Sequence, residues 1–281
     1  MKILLLTDQN VSLGSGHIQR MLSLRDYLNN CGFAAGLASS ADGGAGIELF
    51  IRDMRDSHTD EIKVLQKTAP VVAIDDRGSG RAVANKVIDL LPHPAHRDND
   101  TDYHPEAFLY GYEFCKSIES FTGSLNKDIP FVMYAGAKAD EETINFLLAA
   151  APKELSGIML ANNRRIKIEN GKNAGEADRT YAEIILSANV LVSHFGITMY
   201  EAALGGASVI AINPSEYHNV LAQSASELNI VHNALREISD PLTVSEIIRR
   251  EALTYRREAD SVFVRKTILS NMKNFIKLAV S

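Results

Sequence analysis

Residues 3–6 (Ile-Leu-Leu-Leu) form a continuous apolar run that stops at Thr7-Asp8, as a parallel strand buried on both faces does. After a polar loop, Ile18, Met21, Leu22 and Leu28 recur at helical spacing, and Gly32 stands where a helix C-terminus takes a residue of positive φ. Strand, glycine loop and helix thus open the chain. Apolar segments at 33–38, 70–74, 86–90 and 107–110 follow as further strands, with an amphipathic helical run from Glu61 to Gln66 between them. The polar stretch Thr122 to Asp128 precedes a new apolar run, Ile129 to Tyr134, which places a domain boundary at 125/126. The alternation then repeats: helix near 141–151, strand near 156–160, helix near 178–187, strand at 190–193, helix at 197–205, strand at 208–212 and a helix from Tyr217. The stretch 242–279 reads as two helices, with Val262, Val264, Ile268, Met272, Phe275 and Ile276 as their apolar positions. Strands alternating with helices predict βαβ units, parallel sheets and an α/β fold in two similar halves, 1–125 and 126–281.

A length of 281 residues accommodates two such domains, and 46% apolar with 23% charged residues is the balance of a globular chain. A formal net charge of −6 argues against a nucleic-acid partner, which would demand a basic stripe. Cys31 and Cys115 have no CxxC spacing and no secretory signal pattern opens the chain, so a reducing cytoplasm is the expected location. No apolar run reaches the roughly 20 residues of a membrane-spanning helix, leaving only peripheral membrane attachment.

Three segments carry candidate chemistry. The first, Leu13-Gly14-Ser15-Gly16-His17-Ile18-Gln19-Arg20, follows the first strand, and its glycines let a ligand approach the backbone at a helix start. It lacks the third glycine of a dinucleotide fingerprint, so no nicotinamide or flavin cofactor is expected. Within it, His17 stands where open α/β sheets place ligands and suits a general base, while Gly14, Gly16 and Arg20 are binding candidates. The second segment runs from Ser193 to Gly206: backbone N–H groups at Gly196, Ile197 and Thr198 can face a diphosphate, and Glu201 can reach ribose hydroxyls. In isolation this pattern is also that of a plain helix cap followed by an exposed glutamate. The third, Asp75-Asp76-Arg77, follows the 70–74 strand; either carboxylate can orient His17 or hold a sugar hydroxyl, and Asp76 can equally cap the next turn. His93, His96, Asp98, Asp100, Asp102 and His104 crowd one proline-containing stretch without ligand spacing, which reads as a solvated loop and not a metal site. Arg164-Arg165, Lys167, Lys172, Gly171 and Gly175 read as another exposed loop.

In order and separation these segments resemble the GT-B superfamily, in which two Rossmann-like domains face each other across a cleft and the C-terminal one binds a nucleotide diphosphate. The first half, through its opening strand, Gly14 to Arg20 and Ile74-Asp75-Asp76, resembles the UDP-sugar hydrolases of pseudaminic acid biosynthesis, where the matching histidine is the proposed base. The second half, through Ser193, Gly196, Thr198, Glu201, Gly205 and Ile212-Asn213-Pro214, is similar also to the peptidoglycan N-acetylglucosaminyltransferases, and His218 and Asn219 fall where such proteins carry sugar-contacting amides. The resemblance implies metal-independent and cofactor-free hydrolysis of a UDP-linked amino sugar, with His17, Asp75 and Asp76 catalytic and Gly136 in the cleft-facing loop. Glycosyl transfer from a UDP-sugar and non-catalytic nucleotide-sugar binding are the alternatives. An exposed apolar or basic patch on the first domain would favour transfer. Three departures stand out: Ala135-Gly136-Ala137 in place of a glycine pair, Ile118 in place of an arginine, and Leu91-Pro92 in place of an asparagine after the 86–90 strand.

Overall fold

The structure is a computed structural model that describes residues 1–8, 16–41, 45–54, 56–93, 102–120, 126–236, 240–254 and 260–281. The chain forms two compact units, Met1–Tyr112 with Lys266–Ser281, and Glu113–Arg265. This division differs from the single cut expected at 125/126. The segment around that cut, 121–125, lies outside the described residues.

The first unit is built on β1 (Lys2–Thr7), α1 (Gly16–Asn30), β2 (Ala34–Ala38), β3 (Leu49–Asp53), α2 (Thr59–Gln66), β4 (Val71–Ile74) and β5 (Lys86–Ile88). Its five strands are parallel in the order β2-β1-β3-β4-β5. Ile3, Leu5 and Leu6 on β1 and Met21, Leu24 and Leu28 on α1 are buried, so the helix lays its apolar stripe against the sheet. Phe50, Ile62 and Val71 join Leu6 in a second core cluster. Gly32 closes α1 with φ +86°, a conformation that costs glycine little. The pattern misses one strand here and misplaces another. Strand β3 was not foreseen, and the apolar run 107–110 is no strand: Pro105–Ala107 is a single 3₁₀ turn, and Phe108, Leu109 and Tyr110 are buried without joining a ladder.

The second unit begins within α3 (Tyr112–Ser120), at Glu113, and continues through β6 (Ile129–Gly136), α4 (Glu141–Ala150), β7 (Gly157–Ala161), β8 (Arg164–Glu169) and β9 (Lys172–Glu176). It goes on through α5 (Tyr181–Ser187), β10 (Ala188–Ser193), α6 (Ile197–Leu204), β11 (Ser208–Asn213), α7 (Glu216–Glu227), β12 (Asn233–Arg236), α8 (Pro241–Thr254) and α9 (Ser261–Val280). Helix α9 starts in this unit and ends in the first. The parallel part of its sheet, β7-β6-β10-β11-β12, repeats the strand order of the first unit, and β8 and β9 extend one edge as an antiparallel hairpin. The basic stretch read as a loop is that hairpin. Ile166 and Ile168 point into the core while Arg165, Lys167 and Glu169 face solvent, and Asn170-Gly171, both at positive φ, make the turn. Phe131, Met133, Val190, Val192 and Ile210 fill the core with α4 on one side and α8 on the same cluster. Ile118, where the resemblance expected an arginine, is a buried core residue of α3.

Candidate functional site

In both units the sheet order runs 2-1-3-4-5, so the chain leaves the first strand in one direction and the third in the other. The carboxyl ends of these two strands border a crevice where such sheets bind ligands. In the first unit this crevice lies between β1 and β3, and in the second between β6 and β10.

In the first unit, Thr7 ends β1 directly opposite Asp53, which ends β3. His17 and Arg20, three residues apart at the start of α1, share a face that points at this gap. Arg20 grips Asp53 with two nitrogens, Nε at 2.5 Å and Nη2 at 2.6 Å, and pairs through Nη1 with Asp75 at 2.8 Å. His17 Nδ1 lies 2.6 Å from the same Asp53 carboxylate. Burial alone would lower the Arg20 pKa, but Asp53 and Asp75 override it and hold the guanidinium charged. Burial would likewise raise Asp53; Arg20, then His17, keep it well below the usual carboxylate range. An ionised Asp53 takes the Nδ1–H of His17, which leaves Nε2 as the proton acceptor on a ring that is 24% exposed. Arg20 Nη2, 3.4 Å from Nδ1, is too distant to compete.

The carboxylate that orients His17 is therefore Asp53 and neither Asp75 nor Asp76. Asp75, at φ +48°, accepts the backbone N–H groups of Leu90 at 2.7 Å and Leu91 at 3.0 Å, which ties the end of β4 to the segment after β5. Asp76 is fully buried: its Oδ1 accepts from the N–H groups of Ser57 and Gly78, and its Oδ2 from the Ser57 hydroxyl and Arg52. That is the turn-capping role, extended to a second loop. Asp89 ends the row behind Asp75, paired with Arg81 at 2.9 Å and raised by its burial. Gly14 lies outside the described residues, as do His96, Asp98 and Asp100. Among the described residues no group of metal-ligating side chains forms, and His104 and Asp102 are engaged by Glu106 and Arg81.

In the second unit β6 ends at Gly136, whose φ of +103° turns the chain beside His194. The loop from β10 to α6 is fixed from both sides: Ser193 Oγ donates to the His194 carbonyl at 2.9 Å, and the Phe195 N–H donates to Asn213 Oδ1 on β11 at 3.2 Å. Gly196 is the extended residue that caps α6, and the N–H groups of Ile197 and Thr198 have no carbonyl one turn back. They and the helix dipole suit an anion. Glu201 is only 2% exposed and accepts from the Tyr181 hydroxyl at 2.6 Å, while the same hydroxyl lies 2.8 Å from Thr198 Oγ1. Its carboxylate thus braces the loop from within. Burial, then Glu201, drives the Tyr181 hydroxyl far above its ordinary pKa, so it stays a donor.

His218 sits in the first turn of α7 with Nδ1 2.7 Å from Ser215 Oγ, and Asn219 behind it is buried with its amide nitrogen unpartnered. The rings of Tyr134, His194, His218 and Tyr217 succeed one another at centroid distances of 6.1, 6.4 and 5.7 Å. Burial lowers the His194 pKa and favours its neutral form. Asp53, Tyr181 and this ring row were not read from the sequence. The signal for Asp53 was its position after Leu49-Phe50-Ile51, at the carboxyl end of a strand whose own charged residues concealed it.

No family model matches the chain, and no curated protein does. Solved structures do. The spinosyn forosaminyltransferase SpnP is 13% identical, with a TM-score of 0.56 over 100% of both chains. The spinosyn rhamnosyltransferase SpnG complexed with thymidine diphosphate is 11% identical, with a TM-score of 0.55 over 99% of this chain and 97% of that one. The glycosyltransferase SnogD from Streptomyces nogalater is 12% identical, with a TM-score of 0.54 over 99% and 96%. The chain has the α/β fold of the GT-B glycosyltransferases, built from two Rossmann-like units.

Proposed function

We propose that the protein transfers a sugar from a nucleoside-diphosphate donor to a hydroxyl acceptor, with His17 as general base. The observation that carries this reading is the 2.6 Å contact between His17 Nδ1 and the buried Asp53, which turns Nε2 outward as an acceptor. In the reaction His17 Nε2 takes the acceptor proton, the acceptor oxygen bonds to the anomeric carbon, and the bond from that carbon to the diphosphate oxygen breaks. The leaving diphosphate carries the electron pair away; within the second unit, taken by itself, the N–H groups at Ile197 and Thr198 at the start of α6 suit an anion of that kind. We assign Gly136, Gly196, His218 and Asn219 to the nucleotide side as well, with Ser193 and Glu201 bracing the loop before α6 and its first turn. The His17 side chain as base and the backbone N–H groups at the start of α6 supply the chemistry that this reading asks for, without a metal or a cofactor.

Support for transfer is the fold shared with sugar transferases, one of them complexed with thymidine diphosphate. With water as the acceptor the same steps hydrolyse a UDP-linked amino sugar, the reading favoured by the resemblance of residues 14–20. One experiment separates them: incubate the protein with UDP- and TDP-sugars, with and without a hydroxyl acceptor, and measure free nucleoside diphosphate. Release only with acceptor supports transfer; release in water alone supports hydrolysis; binding without release overturns both. His17→Ala should slow release by about 10²–10⁴-fold while nucleotide binding persists.

A further inference from the structure

The last helix, α9, presents a second face that the fold does not use. Val264, Ile268, Met272, Phe275 and Ala279 are buried. The opposite side exposes Val262, Phe263, Lys266, Leu269, Ser270, Lys273, Lys277 and Val280. At ~100° per residue these eight positions fall within an arc of about 120°, so they form one stripe and not a scatter. Four of them are large apolar side chains with 54%, 57%, 48% and 43% of their surface in water, at Val262, Phe263, Leu269 and Val280. Helix α9 holds no aspartate or glutamate along its 20 residues, in a chain whose net charge is −6. Positive charge and exposed apolar surface are thus concentrated on one straight face about 30 Å long.

We infer that this face docks the protein on an anionic lipid surface, with Val262, Phe263 and Leu269 entering the interface and Lys266, Lys273 and Lys277 meeting lipid phosphates. The alternation of lysine with apolar residues favours lipid over protein. Lysine is depleted from protein interfaces, whereas at a bilayer its stem lies along the apolar boundary and its ammonium reaches the headgroups. No helix among the described residues is long and apolar enough to cross a membrane, so the contact is peripheral. From Lys266 onward the face belongs to the first unit, which also carries His17. The inference needs no substrate and stands apart from the proposed reaction.

The test is cosedimentation of the full chain with vesicles of equal parts phosphatidylcholine and phosphatidylglycerol, against vesicles of phosphatidylcholine alone. Binding should require the anionic lipid and weaken as salt shortens the screening length from about 30 Å to about 8 Å. Each lysine should contribute about fivefold to partitioning, so Lys266→Glu, Lys273→Glu and Lys277→Glu together should reduce it by more than about 100-fold. Val262→Ser, Phe263→Ser and Leu269→Ser should weaken what binding remains at high salt. All six positions lie at the surface, and unchanged circular dichroism and melting would show that the variants fold. Equal binding to neutral vesicles, no binding at low salt, or full binding by the charge-reversed variant would each overturn the inference. So would a concentration-dependent dimer that these same substitutions disperse.

Discussion

Replacing Asp53 with asparagine keeps the side-chain shape and removes one charge from the centre of the first unit. In the wild type that carboxylate accepts from Arg20 Nε, Arg20 Nη2 and His17 Nδ1 at 2.5, 2.6 and 2.6 Å. An asparagine amide has one oxygen for these three donors, and its NH₂ faces at least one of them. Arg20, 2% exposed, would keep Asp75 as its ion-pair partner. Removing one member of a buried ion pair costs about 3–5 kcal/mol, and retention of Asp75 points to the lower end, about 3 kcal/mol. His17 loses the acceptor that fixes its tautomer, so turnover should fall by about 10²–10⁴-fold while nucleotide binding holds. The acid dependence has a definite sign. Arg20 and His17 hold the folded-state Asp53 below its unfolded value, near ~3.9, so its contribution is full above that pH and is lost as pH falls further. Urea denaturation should therefore show a wide gap between wild type and Asp53→Asn at neutral pH, narrowing from about pH 4 downward. Equal midpoints at neutral pH, or wild-type nucleoside diphosphate release by the variant, would refute the reasoning.

Three further outcomes follow from other sites. Burial lowers the Lys127 ammonium to about 7, where it donates to the Ala188 carbonyl at 2.6 Å. Because the unfolded chain keeps that proton up to about pH 10, wild-type stability should rise relative to Lys127→Met between about pH 7 and 10; parallel urea curves across that range would count against it. Gly157→Ala would set a methyl group 2.4 Å from the ring of the fully buried Phe131, and a loss of about 1–3 kcal/mol is expected in thermal melts. Tyr181→Phe takes the hydroxyl donor from the buried Glu201 and should cost about 1.5–3 kcal/mol, with weaker nucleoside diphosphate binding as the loop at α6 loosens; unchanged melting and binding would show that the brace is idle.

Buried parallel strands are legible because nothing but apolar residues fits between two helical layers, and 3–6, 70–74, 129–134, 190–193 and 208–212 all appear where the pattern puts them. Strand β3 escapes that rule, since its last residues, Arg52 and Asp53, are charged and yet buried, each neutralised by a partner distant in sequence. The reverse error arises at Ala107 to Tyr110, where an apolar run is buried outside the strands of either sheet. In the β8–β9 hairpin the alternation of Ile166 and Ile168 with charged residues and the Asn170-Gly171 turn were both available, though outweighed by the basic composition. At the site, backbone position was readable and partnership was not. His17 could be placed at a strand's carboxyl end from local pattern alone, whereas its pairing with Asp53 depends on which strand lies next to β1, which local pattern does not encode.

That the first unit takes in Lys266–Ser281 also sets an order of events during synthesis. Residues 113–265 are contiguous in sequence, whereas the first unit is completed by a segment translated after them, which brings the buried Phe275 and the Asn274 side chain that donates to the Glu106 carbonyl at 3.0 Å. Until residues 266–281 have been made the first unit lacks these contacts, so the second unit has all of its own residues before the first does.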